Sequence, residues 1–251
     1  MRKEIHAMQQ DHPFRSFWIL TASWFAILLF FWLFPSVDIG FSRLFYTTSA
    51  CLPGATGSCG MFALGEIPVF VLIRVILYYM PVVAAIALVA SLIVPALDRR
   101  LDWPEISRRN RLIALGAWII DAGLIVNVLL KAYSGRPRPA DTSIFSGQLP
   151  FVPAGSFSGA CTANCSFISG EAASAGWLFC LLALMPPHAR RWMLPPVLTV
   201  SILTALLRVF FGRHFLSDAV LAWLSAIIVF ELLAAFFGWN ERETTEKSNA
   251  A

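Results

Sequence analysis

Apolar residues fall into six long blocks along the chain, separated by stretches rich in charge, Pro, Gly and Ser. Crossing a bilayer takes about 20 predominantly apolar residues. The blocks near 17–34, 69–96, 112–131, 171–186, 192–211 and 218–238 therefore predict six transmembrane helices. The second is interrupted by Arg74 and two prolines and is long enough to tilt or to begin outside the hydrocarbon; the fourth is short. The first, FWILTASWFAILLFFWLF, is too long and too aromatic for the apolar region of a signal peptide and reads as a retained span. The expected fold class is all-α: a polytopic membrane protein forming one integral membrane domain over residues 1–251. Residues 38–47, DIGFSRLFYT, predict a short helix lying on the outer surface.

Composition supports the membrane reading. Of the 251 residues 58% are hydrophobic and 14% charged, against about 25% charged in soluble domains. The net charge of +4 comes from 19 basic and 15 acidic residues. Arg2, Lys3, Arg15, the five arginines of DRRLDWPEISRRNR, Arg190, Arg191, Arg242 and Lys247 make 12 of those 19 and share one side of the predicted layout. The positive-inside rule then puts both termini in the cytoplasm and makes 35–67 and 132–170 outer loops. It also accounts for most of the basic excess without a nucleic-acid partner. Cys51 and Cys59 share the first outer loop, and Cys161 and Cys165 the second. An oxidising compartment favours a disulfide within each pair; a CxxxC spacing also suits a metal, but no His is near it in sequence. Cys180 reads as a packing residue. No internal repeat, nucleotide-binding glycine loop or zinc-protease motif is present.

Seven basic residues remain outside the inside rule: Arg43, Arg74, Lys131, Arg136, Arg138, Arg208 and Arg213. Five of them bracket the outer ends of the third and fifth spans. Unpaired cations in a low dielectric are costly, and the nearby acids Asp141, Glu171 and Asp218 do not balance five of them. A bound phosphate supplies the missing charge, and arginine forks suit its oxygens. The competing reading is that Arg136 and Arg213 snorkel at the interface. His214 precedes Asp218 by four residues, which is one helix face. The carboxylate then takes the proton on one ring nitrogen and leaves the other free to attack phosphorus. The bland alternative is an interfacial histidine capping a helix.

These residues resemble the type 2 phosphatidic acid phosphatase (PAP2) superfamily. Lys131, AYSGRP, Arg138-Pro139 is a complete match to its first motif. Arg208, VFFGR, His214, FLS, Asp218 matches the third, with Leu207 in place of a serine. Ile168-Ser169-Gly170-Glu171 keeps only the central Ser-Gly of the second, and Glu171 stands where the family has histidine. The motifs span 131–218, and the six-span layout extends the likeness over about 17–238. The resemblance implies a PAP2/acid phosphatase-like helical core. It implies that Lys131, Arg138, Arg208, Ser169 and Gly170 bind phosphate; Arg136 and Arg213 are candidate auxiliaries from the charge cluster alone. His214 is the implied nucleophile, Asp218 its partner, and Glu171 takes the position of the leaving-group acid. Three roles for Glu171 stay open: proton handling, a structural carboxylate paired to Arg136 or Arg213, or a site weakened for hydrolysis and used for binding.

The implied reaction is hydrolysis of a phosphate monoester or pyrophosphate on an outer-leaflet lipid through a phosphohistidine, with no metal and no cofactor. The second motif is similar to that of bacterial members related to the lipid A phosphatases, so lipid A, at its 1- or 4′-phosphate, is the first expectation for substrate. Undecaprenyl pyrophosphate and phosphatidylglycerophosphate are alternatives. Lipid-to-lipid phosphotransfer and a non-enzymatic anionic solute transporter are the other classes, the last disfavoured by cations on one side only. The expected partners are the bilayer and a phosphorylated lipid, with no obligate protein partner. The expected location is a bacterial inner membrane, with the site at the periplasmic face. Arg74, Asp121, Asn127 and Glu231 fall within predicted spans, and Arg74 with Asp121 or Glu231 is read as a buried structural pair.

Overall fold

The computed structural model describes residues 13–50, 59–94 and 108–239. The helices, in chain order, are α1 (Arg15–Leu33), α2 (Pro35–Arg43), α3 (Pro68–Ile93), α4 (Arg108–Tyr133), α5 (Gly170–Leu184), α6 (Pro187–Phe210) and α7 (Leu216–Phe237). The chain is a polytopic helical membrane protein. Five helices are long and apolar enough to span, and α5 is the shorter sixth. At 1.5 Å per residue α5 is about 22 Å long, less than the roughly 30 Å hydrocarbon core. All six coincide with the apolar blocks to within a few residues.

α5 is the central helix. It packs against α7 and α6, and Gly170, Ala172, Ala173, Ala175, Gly176, Trp177 and Cys180 are all buried. Small residues permit this close approach. A Cβ on Gly176 would stand 2.4 Å from the Trp223 carbonyl oxygen. Polar ties join it to α4 and α6: Trp177 Nε1 donates to the Ala114 carbonyl at 2.6 Å, and Ser201 Oγ to that of Ala175 at 2.5 Å. α1, by contrast, turns most of its apolar surface outward, with Trp18 65% and Phe25 60% exposed. In lipid that exposure is the solvated state.

Two segments depart from the sequence expectation. Residues Ile119–Leu130 of α4 are π-helical, which shifts the register of the face carrying Asp121 and Asn127 just before Lys131. The helix expected at 38–47 runs instead over Pro35–Arg43, with Pro35 at its first turn. It does not simply lie on the surface: Asp38 and Ser42 are fully buried, because Asp38 has a guanidinium to meet inside the protein. Cys161–Cys165 is a disulfide; Cys59 is also disulfide-bonded, while Cys51 lies outside the described residues. Cys180 is a buried free thiol.

The loop between α4 and α5 folds back over one end of the bundle. Gly135 (φ +63°) and Gly159 meet so closely that a Cβ on Gly159 would lie 2.0 Å from the Gly135 carbonyl oxygen. Cys161 N–H bonds that same carbonyl at 2.9 Å, and Ser166 N–H bonds the Arg136 carbonyl at 2.8 Å. This knot fixes the two ends of the loop against each other, so that residues 131–138 and 164–171 face one space.

Candidate active site

That space is a cavity of about 930 Å³. The C-terminal end of α4 brings Lys131, the loop brings Arg138 and Asn164, and the α5 N-terminus brings Gly170 and Glu171. The C-terminal end of α6 brings Arg208, and the turn into α7 brings Arg213 and His214. A second part of the cavity runs down between α3 and α4 past Val75, Tyr78, Tyr79, Val82, Ile119 and Gly123. Tyr79 is 55% and Ile119 62% exposed there, so the cavity opens sideways toward the lipid-facing surface.

The cluster is electrostatically one-sided. Glu171 is the one acid among the described residues lining the cavity, against Arg74, Lys131, Arg138, Arg208 and Arg213. Burial lowers the pKa of Arg138, and the neighbouring Arg213 lowers it further. The Nε groups of Arg138 and Arg208 are buried without a hydrogen-bond partner. Cations desolvated and crowded in this way are prepared for an anion. The α5 N-terminus adds its positive end.

His214 is 2% exposed and lines the cavity. Burial first, then Arg208 and Lys131, drive its pKa well below the ordinary 6.5, so the ring is neutral. Its Nδ1 lies 2.7 Å from the Ser166 carbonyl oxygen. A carbonyl only accepts, so Nδ1 carries the proton and Nε2 keeps a free lone pair. Asp218 Oδ2 stands farther away, at 4.0 Å from Nδ1. The expected direct Asp218–His214 hydrogen bond is therefore replaced by one to a backbone carbonyl. Asp218 is instead spent on Ser166 Oγ at 2.5 Å, Phe215 N–H at 3.0 Å and Arg136 Nη1 at 2.5 Å. It fixes the loop that fixes the ring.

Arg136 needs a correction. It does not line the cavity; it is fully buried behind the site. Its guanidinium joins Asp38 at 2.8 Å and Asp218 at 2.5 Å, donates to Ser217 Oγ and to the Val152 carbonyl, and lies over the Phe215 ring at 4.4 Å. With four of its five N–H groups taken by these partners and no place in the cavity lining, it is a structural cation. Asp38 also accepts from Ser217 N–H and Ser217 Oγ. Arg213, exposed at the mouth, does line the cavity.

Glu171 also has other partners than expected. It pairs side-on with Arg74 through both carboxylate oxygens, and its Oε1 lies 3.3 Å from Arg208 Nη1. Neither Arg136 nor Arg213 is its partner, and Arg74 pairs with neither Asp121 nor Glu231. Ser169 is buried and caps α5, its Oγ accepting from Ala172 N–H at 3.3 Å. Gly170 borders the cavity against Asn127, and a Cβ there would lie 2.7 Å from Asn127 Oδ1. Asp38, Ser166, Ser217 and Arg74 were not singled out as site residues in sequence. Asp38 belongs to no motif read there, Ser217 is an unspecified position inside the third and Ser166 lies just before the second; a backbone carbonyl acting on a histidine leaves no mark in sequence at all.

A membrane-embedded helical bundle with a one-ended cage of cations around a neutral histidine is chemically suited to holding a phosphate beside a nucleophile. The chain belongs to the PAP2 superfamily, whose sequence profile matches residues 111–242. It is 46% identical over 224 residues to a protein of Rhizobium etli named lipid A 4′-phosphatase, covering 88% of this chain and 87% of that one. It is 43% identical over 221 residues to a protein of the same name from Rhizobium leguminosarum, covering 87% and 93% of the two chains. A third relative of that name, from Francisella tularensis subsp. novicida, is 32% identical over 221 residues, covering 82% of this chain and 90% of that one. No solved structure gives a significant match.

Proposed function

We propose that this protein removes a phosphate monoester from lipid A, the 4′-phosphate before the 1-phosphate, through a phosphohistidine on His214. The observation that carries the reading is the single cavity shared by Lys131, Arg138, Arg208 and His214, joined to relatives whose name states that reaction. In this reading Lys131, Arg138 and Arg208, with Arg213 at the mouth and the Gly170 amide, hold the three phosphate oxygens. Ser169 supports them by setting the start of α5. His214 Nε2 attacks phosphorus while the arginines neutralise charge building on the equatorial oxygens. The P–O bond to the sugar breaks, and solvent protonates the leaving oxygen. Water then cleaves the N–P bond and releases inorganic phosphate. Arginines supply the charge stabilisation, so the scheme calls for no metal.

The sideways extension between α3 and α4 suits a substrate whose acyl chains stay in the bilayer while the headgroup enters the cage. The basic residues of the sequence favour both termini in the cytoplasm and a site on the periplasmic side of an inner membrane. The test is phosphate release in detergent from lipid A, a polyprenyl pyrophosphate and a glycerophospholipid phosphomonoester, with and without chelator, and with His214→Ala as blank. The expected result is release from lipid A, unaffected by chelator and absent in the variant. Release by His214→Ala would overturn the nucleophile. Dependence on an added acceptor lipid would favour phosphotransfer.

A further inference from the structure

Arg74 lies on α3, outside the three motifs and outside the residues matched by the family profile. It nevertheless reaches into the cavity and grips the one acid there. The guanidinium meets Glu171 side-on: Nε donates to Oε2 at 3.1 Å, and Nη2 bonds Oε1. Arg208 Nη1 approaches Oε1 from another side at 3.3 Å. The Arg74 guanidinium also lies 5.3 Å from the centre of the Tyr78 ring, which steadies it.

A carboxylate offers about four lone-pair sites. Here Oε1 accepts from Arg74 Nη2 and has the Arg208 guanidinium 3.3 Å away, and Oε2 accepts from Arg74 Nε. A proton carried on Oε1 would point at a guanidinium, and one on Oε2 would compete with Arg74 Nε for the same oxygen. The arrangement therefore suits an acceptor and opposes a donor. We infer that Arg74 is a positioning residue that fixes Glu171 as the base of the second half-reaction, and that Glu171 is not the acid of the first. This rests on the phosphohistidine reading above. In the step proposed, Glu171 Oε2 takes a proton from the attacking water through its remaining lone pair. The water oxygen forms the new P–O bond, and the N–P electron pair returns to His214 Nε2. Nδ1–H stays on the Ser166 carbonyl throughout. Glu171 afterwards yields its proton to solvent.

The experiment mixes enzyme with lipid A labelled in the scissile phosphate, quenches in alkali and counts label bound to protein, alongside steady-state release. Glu171→Gln should lower kcat about 100-fold, within the usual range for a lost general base. Protein-bound label should rise toward one per site, while its first-turnover formation stays close to wild type. Arg74→Gln should show the same signature at smaller amplitude, and Arg74→Lys should recover part of kcat; this pair carries the test if Glu171→Gln does not fold. Label in wild type that fails to accumulate in Glu171→Gln, or forms about 100-fold more slowly there, would overturn the inference alone. No label in wild type, together with turnover by His214→Ala, would overturn the phosphohistidine itself.

Discussion

Arg136 and Arg138 stand two residues apart in GRPRP, yet replacing them should have opposite consequences. Arg136→Met strands Asp38 and Asp218, two carboxylates with no exposed surface that share this one guanidinium. Removing one partner of a buried ion pair costs about 3–5 kcal/mol, because the charge left behind is uncompensated. Here two like charges are left, so the upper part of that range is expected. For a chain of this size about 2–4 °C accompanies each kcal/mol. The melting midpoint in detergent should therefore fall by roughly 8–20 °C. Arg138→Gln removes a cation from a self-repelling group whose pKa Arg213 and burial already lower. Its melting midpoint should stay level or rise slightly, while kcat/KM falls about 100- to 1,000-fold with the loss of a transition-state donor. Asp38→Asn leaves Arg136 paired with Asp218 and should lie between wild type and Arg136→Met. Intrinsic tryptophan fluorescence on heating, with phosphate release on the same samples, reads both quantities. Arg136→Met melting within about 2 °C of wild type, or Arg138→Gln melting as low as Arg136→Met, would refute this division of labour.

Two further outcomes follow from the same geometry. A methyl group at Gly170 would meet Asn127 Oδ1 at 2.7 Å, while Asn127 Nδ2 is tied to the Ala122 carbonyl at 2.6 Å; Gly170→Ala should lower kcat about tenfold by displacing the α5 N-terminus, and adding Asn127→Ala should restore most of it, which kinetics of the single and double variants check. His214, held below pH 6.5 by burial, Arg208 and Lys131, should attack at an undiminished rate as pH falls through 6.5, because its neutral form persists there. Arg208→Gln removes a positive neighbour, so the His214 pKa rises and the acid limb of the single-turnover rate should move to higher pH; half-loss of the wild-type rate near pH 6.5 would contradict this.

The spans were legible because burial in lipid needs only length and apolarity, and both are local in sequence. That Lys131, Arg138, Arg208 and His214 border one cavity was legible because their spacing puts them at adjoining helix ends. The Arg136–Arg138 distinction was not, since the two share composition and neighbourhood; only the 98-residue jump to Asp38 decides it. The Arg74–Glu171 pair likewise spans 97 residues, and apolar periodicity says nothing about which intramembrane charges meet. The π-helical stretch before Lys131 also escaped, because IIDAGLIVNVLL has the apolar content of any spanning helix.

The two sets of charges act on His214 from opposite sides. Behind the ring, Asp38 and Asp218 both bond the Arg136 guanidinium. In front, the cavity cations outnumber Glu171. In the proposed reaction, burial first and then Arg208 and Lys131 keep a proton off Nε2 before attack, and the front set draws the phosphate dianion. Once the N–P bond forms, the ring itself becomes cationic. Its Nδ1–H then strengthens its bond to the Ser166 carbonyl, with Asp218 at 4.0 Å behind. The added phosphoryl charge simultaneously offsets the cations in front. A carboxylate bonded directly to Nδ1 would raise the proton affinity of the free ring as well as stabilising the phosphorylated one. Interposing a neutral carbonyl, with the carboxylate one step removed, gives more weight to the second effect. In the proposed mechanism that separation lets Asp218 support His214 without touching it.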